Sequence, residues 1–385
     1  MLTSEGRIYL DHAASTPVHP QVREAMCKTL DQVGNPQSIH HDGEAMREGV
    51  DRARAQVAQL IGAKPREIVF TGGGTEAINL ALFGQFVKSG GQHIVSSRVE
   101  HAAVLEPLRR LEREGIRLSL LPVSRMGQLK TDEILAALCS DTRLVSVQVA
   151  NNETGVIHDL ESLGQILRDR GILFHLDAIQ GAGLLPLDVD RLQVDLLSLS
   201  AQKMYGPQGV GALYVRQGIT LTPLLWGGRH ERGRRAGTEN TPGIVGFGMA
   251  AELAWRERED RCAHLSSLTH YLETLVLARI PDLYISGSEV PRLPGLTHLV
   301  VPGVLGEGLV QILDQEGFSL SHGAACSGGS MEASHVLLAM GLSEKDAAAG
   351  LRISAGMGTK ESELSRLVDT MVPVVERLRT MRAIT

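Results

Sequence analysis

The sequence lacks the features of a disulfide-stapled, zinc-binding or membrane-spanning protein. Its four cysteines, Cys27, Cys139, Cys262 and Cys326, lie far apart and form no CxxC pair. This spacing excludes a disulfide framework or a clustered zinc site and favours a reducing compartment. No run of about 18 uninterrupted apolar residues occurs, so no membrane-spanning helix is predicted. The first residues carry an acid instead of bases and no apolar core, unlike a signal peptide, and we therefore predict a cytoplasmic protein.

The chain also lacks a strong net charge, internal repeats and low-complexity segments. Its formal charge of −6 gives no general attraction for nucleic acid or anionic membranes, and we expect neither as a partner. The apolar fraction of 43% and the charged fraction of 21% are typical of a globular protein. A length of 385 residues exceeds one ordinary core, so two domains are predicted.

Short apolar runs such as REIVF and LVSVQVA alternate with helical patterns over the first two thirds of the chain. Strands separated by helices of ten or more residues predict βαβ crossovers and a mostly parallel sheet, hence an α/β fold. The spacing of apolar residues over residues 43–62 predicts a helix that packs on this domain. From about Ala251 the pattern changes to longer helices and shorter strands, which indicates a second, α+β domain.

The stretch from Thr71 to Thr75, with three glycines between them, joins an apolar strand directly to a helix. Backbone N–H groups at the start of a helix, glycines that allow close approach and a hydroxyl group together suit a phosphate. A plain tight turn is the alternative. A Gly-rich turn alone does not decide between the two.

Two further strand ends carry polar residues. Asp177 follows an apolar strand, with Gln180 three residues later, and Ser200 and Lys203 follow the next strand. Ligands of open α/β sheets bind at the carboxyl ends of strands, so these side chains face the expected crevice. Taken singly, Asp177 also suits a helix N-cap, and a lone lysine is normally a solvated surface charge.

Together these features match what a pyridoxal-phosphate enzyme needs. A lysine holds the cofactor as a Schiff base, a carboxylate keeps the pyridine nitrogen protonated, and a cradle grips the phosphate. The combination is far more specific than any of its parts, and it predicts pyridoxal 5'-phosphate as the cofactor.

Ten segments, in the same order along nearly the whole chain, resemble the cysteine desulfurases among the fold-type I pyridoxal-phosphate enzymes, in the branch of the nitrogenase-associated and iron-sulfur-cluster desulfurases. They are YLDHAASTP, GNPQSIH, EIVFTGGGTEAIN, VEHAAVL, NNETGV, HLDAIQ, SLSAQKMYGP, GGRHERGRRAGTEN, GAACSGGSMEASHVLLAMG and LRISAG. The resemblance implies a large domain with a mostly parallel seven-stranded sheet, assigned to residues 16–255. It implies a smaller α+β domain formed by residues 1–15 and 256–385.

Carried over to this sequence, the resemblance implies that Lys203 forms the Schiff base and that Asp177 pairs with the ring nitrogen of the cofactor. It implies that Gln180 bonds the phenolic oxygen of the ring. His101 would stack on the ring and shuttle protons, although a lone histidine is more often structural.

The same resemblance implies that Gly74, Thr75 and Ser200 hold the phosphate, with Thr238 reaching over from the partner subunit of a homodimer. Asn152 and Arg352 would bind the substrate carboxylate, a task that suits the planar fork of arginine.

The chain departs from the family pattern at several positions. Gln202 stands where the family has a histidine that helps to bind the phosphate, and we expect Gln202 to give an uncharged hydrogen bond and looser cofactor binding. The residues before Cys326 lack two hydroxyl groups and include His322. Gly356, Met357 and Gly358 replace the usual glycine followed by a large polar or aromatic residue.

Cys326 lies among small residues and glycines, which disfavour helix and strand, so we expect its thiol on a mobile loop of about residues 321–334. By resemblance, the Cys326 thiolate attacks the sulfur of L-cysteine, keeps it as a persulfide and leaves L-alanine. A free thiol has a pKa near 8.5, so a neighbour such as His101 or His322 has to help. We predict no resident metal, with Cys326 as a candidate transient ligand of a cluster.

The arginines of one stretch form the basic patch of the chain; they are Arg229, Arg232, Arg234 and Arg235. Because no aromatic residues interleave with them, we favour a subunit-interface loop that also supports the phosphate site over a nucleic-acid surface.

Several alternatives stay open at this point. A selenocysteine lyase or a cystine C–S lyase shares the cofactor site, and a small aminotransferase shares it without needing Cys326. A sulfur-carrier or scaffold subunit that has lost activity is the alternative from another class. The expected partner is a sulfur-acceptor or scaffold protein for iron-sulfur cluster assembly, tRNA thiolation or DNA phosphorothioation.

Overall fold

The computed structural model describes residues 6–86, 92–160, 162–323 and 333–383. The strands, in chain order, are β1 (Ile8–Tyr9), β2 (Ile68–Thr71), β3 (His93–Ser97), β4 (Arg117–Leu121), β5 (Thr142–Gln148), β6 (Leu173–Asp177), β7 (Leu196–Ser200), β8 (Gly211–Val215), β9 (Tyr284–Ile285), β10 (Leu296–Val300), β11 (Phe318–Ser319) and β12 (Gly350–Ser354).

The helices, in chain order, are α1 (Pro20–Leu30), α2 (His41–Leu60), α3 (Gly74–Phe86), α4 (Ala102–Arg113), α5 (Thr131–Ala137), α6 (Leu163–Asp169), α7 (Thr241–Arg256), α8 (Arg258–Arg279), α9 (Gly306–Gln315), α10 (His335–Ala339), α11 (Glu344–Ala347) and α12 (Glu361–Ala383). Short 3₁₀ turns cover Pro65–Glu67, Ala201–Lys203 and His230–Gly233. Across the described ranges, no helix is both long and apolar enough to cross a membrane.

Within the described residues, seven strands form the main sheet in the order β2-β8-β7-β6-β5-β3-β4. The strands from β7 to β4 run parallel, whereas β8 is antiparallel to both β7 and β2. Strands such as β7 are buried along their whole length, as expected where helices cover both faces of a parallel sheet. The predicted α/β fold with a mostly parallel seven-stranded sheet is confirmed.

The helix predicted over residues 43–62 is α2, and its apolar face is buried. It packs on α7, where a Cβ added at Gly248 would lie 2.4 Å from the Cα of Ala53. A glycine is therefore needed at this position for the two helices to approach.

A second core lies apart from the main sheet. Strands β12, β10 and β9 form an antiparallel sheet, and β1 pairs with β11 in parallel. Helices α8, α9 and α12 cover them, and Ile8 and Leu10 pack in the same core. The N-terminal segment thus joins the C-terminal part of the chain, while the exact division at residues 15/16 and 255/256 stays a prediction.

Candidate active site

A cavity of about 210 Å³ lies at the carboxyl ends of β6 and β7, beside the first turn of α3. Ten of the residues predicted for the site line it: Gly74, Thr75, His101, Asn152, Asp177, Gln180, Ser200, Gln202, Lys203 and Arg352. Nine of them lie at or after the carboxyl ends of strands in the main sheet, because parallel strands present these ends at the same edge. Arg352 comes from β12 of the second sheet.

Lys203 ends the 3₁₀ turn that follows β7. Its Nζ donates to the carbonyl oxygens of Ala13, at 2.7 Å, and Ala14, at 2.6 Å. The amide of Gln180 also donates to the Ala13 carbonyl, at 3.0 Å. These backbone acceptors give no side-chain signal, and the sequence did not predict them.

Asp177 is the last residue of β6 and is 6% exposed. Its Oδ1 accepts the N–H of Ile179 at 3.0 Å, and the residues that follow form turns instead of the helix expected for an N-cap. Burial raises the pKa of Asp177 to about 6. A cation beside this carboxylate would offset the cost of burying its charge.

A buried polar row supports Asp177 from within the sheet. His175, two residues earlier on the same face of β6, contacts Ser146 Oγ at 2.8 Å and Ser198 Oγ at 2.9 Å. Burial lowers the pKa of His175 to about 3, so the ring is neutral at neutral pH. The row ties β5, β6 and β7 together beneath the carboxylate. Its only sequence signal is a polar residue in an apolar run.

His101 is the N-cap of α4, and its Nδ1 accepts the N–H of Ala103 at 3.0 Å. Burial, followed by the charge of Lys203, lowers the pKa of His101 to about 4. The ring is therefore neutral at neutral pH, and the N-cap bond assigns its proton to Nε2.

Glu100 precedes His101 and is fully buried. Its Oε1 accepts the hydroxyl of Ser97 at 2.5 Å, and its Oε2 has no partner among the described residues. Burial raises the pKa of Glu100 to about 8, so this carboxyl is largely protonated at neutral pH and adds little negative charge near Asp177.

Arg352 lies in β12 and is 2% exposed. Its Nη1 donates to the carbonyl of Asn152 at 2.9 Å, and its Nη2 donates to Asp11 Oδ1 at 2.8 Å. Its Nε has no partner among the described residues. The sequence did not predict Asp11, which is 341 residues from Arg352 along the chain.

The start of α3 forms a cradle at the cavity wall. A Cβ added at Gly74 would lie 2.4 Å from Ile179 Cδ1 and 3.3 Å from Ser200 Cβ, so a larger residue here would have to displace the Ile179 side chain. The N–H groups of a first helical turn lack partners within the helix, and together with the hydroxyls of Thr75 and Ser200 they suit an anionic phosphate. With Asp177 in the same cavity, these residues fit pyridoxal phosphate, which carries a phosphate and a ring nitrogen that can be protonated.

Three predicted residues differ in their relation to this cavity. Gln202 lines the cavity, and its carbonyl accepts both the N–H and the hydroxyl of Thr16 at 2.9 Å. Thr238 lines a separate cavity of about 120 Å³ together with Gly72 and Arg235. Cys326 lies outside the described residues.

Known proteins resemble the chain over most of its length. The family model described as aminotransferase class-V matches residues 8–367. A protein named cysteine desulfurase IscS, from Dictyoglomus turgidum, is 44% identical over 377 residues, covering 97% of this chain and 96% of that protein.

Solved structures resemble it as well. One described as a NifS-like protein has a TM-score of 0.89 and 33% identity, covering 96% of this chain and 99% of that chain. A structure described as SspA in complex with cysteine has a TM-score of 0.80 and 33% identity, covering 90% of this chain and 98% of that chain.

Proposed function

The chain belongs to the aminotransferase class-V family, and from that premise we propose that it is a cysteine desulfurase, which takes the sulfur from L-cysteine and leaves L-alanine. The observation that carries the proposal is the single cavity into which Lys203, Asp177 and the α3 cradle converge. The similarity to a structure described as a complex with cysteine supports L-cysteine as the substrate.

When bound, pyridoxal phosphate supplies an electron sink for the carbon skeleton of the substrate. The α3 cradle and Ser200 would hold its phosphate, and Asp177 would keep a proton on its ring nitrogen. Gln180 would bond the ring oxygen. His101, neutral and carrying its proton on Nε2, would offer a hydrogen bond beside the ring.

Arg352 and Asn152 would bind and orient the substrate carboxylate in the cavity. Lys203 takes the proton from Cα of the substrate, and its two carbonyl acceptors hold the amine in place. The Cys326 thiolate then attacks the substrate sulfur. An S–S bond forms as the Cβ–S bond breaks and its electron pair stays with Cβ. Cβ then takes up a proton, and Lys203 returns the proton to Cα, which gives alanine.

The persulfide on Cys326 then passes to an acceptor or scaffold protein. Iron-sulfur cluster assembly, tRNA thiolation and DNA phosphorothioation all accept sulfur in this form, and the residues of the cavity would serve any of them. The relative named IscS favours the first.

Incubation of the purified protein with L-cysteine and a thiol reductant is expected to release alanine and sulfide in equal amounts, without pyruvate. The reductant frees the persulfide sulfur as sulfide, whereas an elimination reaction would produce pyruvate. Quantification of all three products in one reaction checks this. Pyruvate as the main carbon product would replace the proposed function with a C–S lyase activity.

The surface around Thr238 supports a homodimer in which this threonine serves the partner's site. Glu239 accepts the side-chain amide of Gln37 at 2.8 Å, which places the segments around Ile39 and Thr238 side by side. Ile39 is 98% exposed. Trp226 is 80% exposed, and its neighbour Gly227 lies beside Ala236, because a Cβ added at Gly227 would lie 3.1 Å from Ala236 Cβ. Large apolar side chains this exposed favour burial against a second copy.

The wild-type protein is expected to sediment at twice its chain mass of 41.5 kDa, and Ile39→Asp is expected to weaken the dimer by about 10²-fold or more. A carboxylate at a buried apolar contact loses its hydration without gaining a partner. Sedimentation equilibrium measures the change. Leu277→Asp, at an exposed position on α8, is the matched control and is expected to leave the dimer intact. A monomeric wild-type protein would contradict the homodimer.

A further inference from the structure

Among the described residues, strand β2 lies at the edge of the main sheet and pairs with β8 on one side only. On its free side, the carbonyl of Ile68 accepts Arg54 Nη1 at 2.8 Å, and the N–H of Phe70 donates to Glu231 Oε2 at 3.1 Å. Arg54 and Glu231 therefore take the place of a neighbouring strand and satisfy backbone groups that an edge would leave unpaired.

The two side chains also bind each other. Arg54 donates to both carboxylate oxygens of Glu231 at 2.7 Å, and the side chains are 8% and 2% exposed. Glu231 and the following Arg232 have left-handed backbone conformations, with φ of 48° and 58°. Residues other than glycine adopt this conformation at a cost, so the buried pair holds the loop in a shape that it would not keep alone.

The same loop reaches the phosphate cradle four residues later. Arg235 binds Glu76 through Nε at 2.9 Å and Nη2 at 3.4 Å. Glu76, in the first turn of α3, accepts the N–H of Gly72 at 2.7 Å. The loop thus contacts β2, which precedes the cradle in the chain, and α3, which follows it. The loop residues are not among those that line the cavity of the site.

We propose that Glu231 is a positioning residue for the cofactor phosphate: through its ion pair with Arg54 it fixes the end of β2 and, through Arg235 and Glu76, the glycine turn that leads into α3. This inference deepens the proposed function and rests on it. Loss of the Glu231 ion pair is expected to weaken binding of the phosphate group specifically, because Lys203 and Asp177 are positioned by other strands.

Glu231→Gln keeps the shape of the side chain but leaves the buried guanidinium of Arg54 without a counter-charge. We expect this variant to bind pyridoxal phosphate about tenfold more weakly. Pyridoxal, which lacks the phosphate, is expected to bind within about threefold of its wild-type affinity. Equilibrium titration of the full-length, cofactor-depleted protein with each compound measures the two dissociation constants.

Glu273→Gln is the matched control, because Glu273 forms a similar two-bond pair with Arg292, at 2.8 and 3.0 Å, away from the cradle. It is expected to leave both dissociation constants unchanged. Arg54→Lys is the second variant if Glu231→Gln does not fold, since lysine keeps the charge but cannot hold both carboxylate oxygens and the Ile68 carbonyl. It is expected to show the same phosphate-specific loss.

A phosphate-specific loss supports the inference. An equal loss for both compounds, or no loss, overturns it while the proposed function stands. If the wild-type protein binds pyridoxal phosphate no better than pyridoxal, the proposed function itself fails.

Discussion

Cys326→Ala is expected to lower the release of alanine and sulfide from L-cysteine by about 10³-fold or more, because the variant lacks the thiolate that attacks the substrate sulfur in the proposed reaction. The variant is expected to bind pyridoxal phosphate as the wild type does, since the cavity residues are unchanged. Parallel measurement of both products and of cofactor absorbance separates the loss of the nucleophile from loss of the site.

The described residues on either side of the segment that contains Cys326 lie close to the cavity. Ser334 Oγ donates to Glu153 Oε2 at 2.5 Å, and a Cβ added at Gly323 would lie 3.5 Å from the same oxygen. Gly323 and Ser334 therefore both lie beside Glu153, whose neighbour Asn152 lines the cavity. Cys326 is three residues from Gly323, and a chain spans at most about 3.6 Å per residue.

The other cysteines supply the controls. Cys27 and Cys139 are exposed thiols on other parts of the surface, and replacing either with alanine is expected to leave turnover unchanged. Turnover that survives in Cys326→Ala, or that falls equally in Cys139→Ala, would contradict the assignment of Cys326 as the sulfur acceptor in the protein.

The sequence predicted the parts of the site that follow directly from strand ends. Asp177, Ser200 and Lys203 were found because each comes at or just after the end of an apolar run, and parallel strands bring such positions together. The Gly74 cradle was found because a strand, glycines and a helix follow one another without a gap. These signals are local, so a single sequence carries them.

The parts that the sequence did not predict depend on distant residues or on the backbone. Asp11 meets Arg352 across 341 residues, and the Ala13 and Ala14 carbonyls that hold Lys203 have no side-chain signature. Glu231 lies in the arginine-rich stretch, and the sequence pattern gives it no role distinct from that of the arginines. Its role depends on the free edge of β2, which only the strand order of the sheet reveals.

Asp177→Asn is expected to raise the stability of the cofactor-free protein while lowering turnover by about 10²–10⁴-fold. Burial raises the pKa of the Asp177 carboxyl from 3.8 to about 6, so the folded state binds its proton more tightly than the unfolded state does. The contribution of this group to stability is therefore fully present below pH 4 and is lost as the pH rises through 6. Above pH 6, the buried negative charge of Asp177 lowers the free energy of unfolding, and asparagine avoids this loss because it is uncharged.

The size of this gain is about 1–3 kcal/mol at pH 8, and it is expected to vanish near pH 4. Denaturant unfolding of the full-length, cofactor-depleted protein at both pH values measures it. Asp195→Asn is the contrasting control. Asp195 is equally buried but already pairs with Arg216 and accepts the N–H of Phe174 at 2.8 Å, so its replacement is expected to destabilise the protein.

Bound cofactor is expected to reverse the effect at Asp177, because a protonated ring nitrogen beside the carboxylate turns the cost of its charge into an attraction. The asparagine variant then loses that attraction, and pyridoxal phosphate should stabilise it less than it stabilises the wild type. An asparagine variant that is less stable than the wild type without cofactor, or that keeps turnover within tenfold, would mean that the Asp177 carboxylate serves the local turn at Ile179 and not the ring. If Asp177→Asn instead stabilises the cofactor-free protein and destabilises the cofactor-bound protein, the Asp177 charge is unfavourable in the fold alone and is compensated by the bound cofactor.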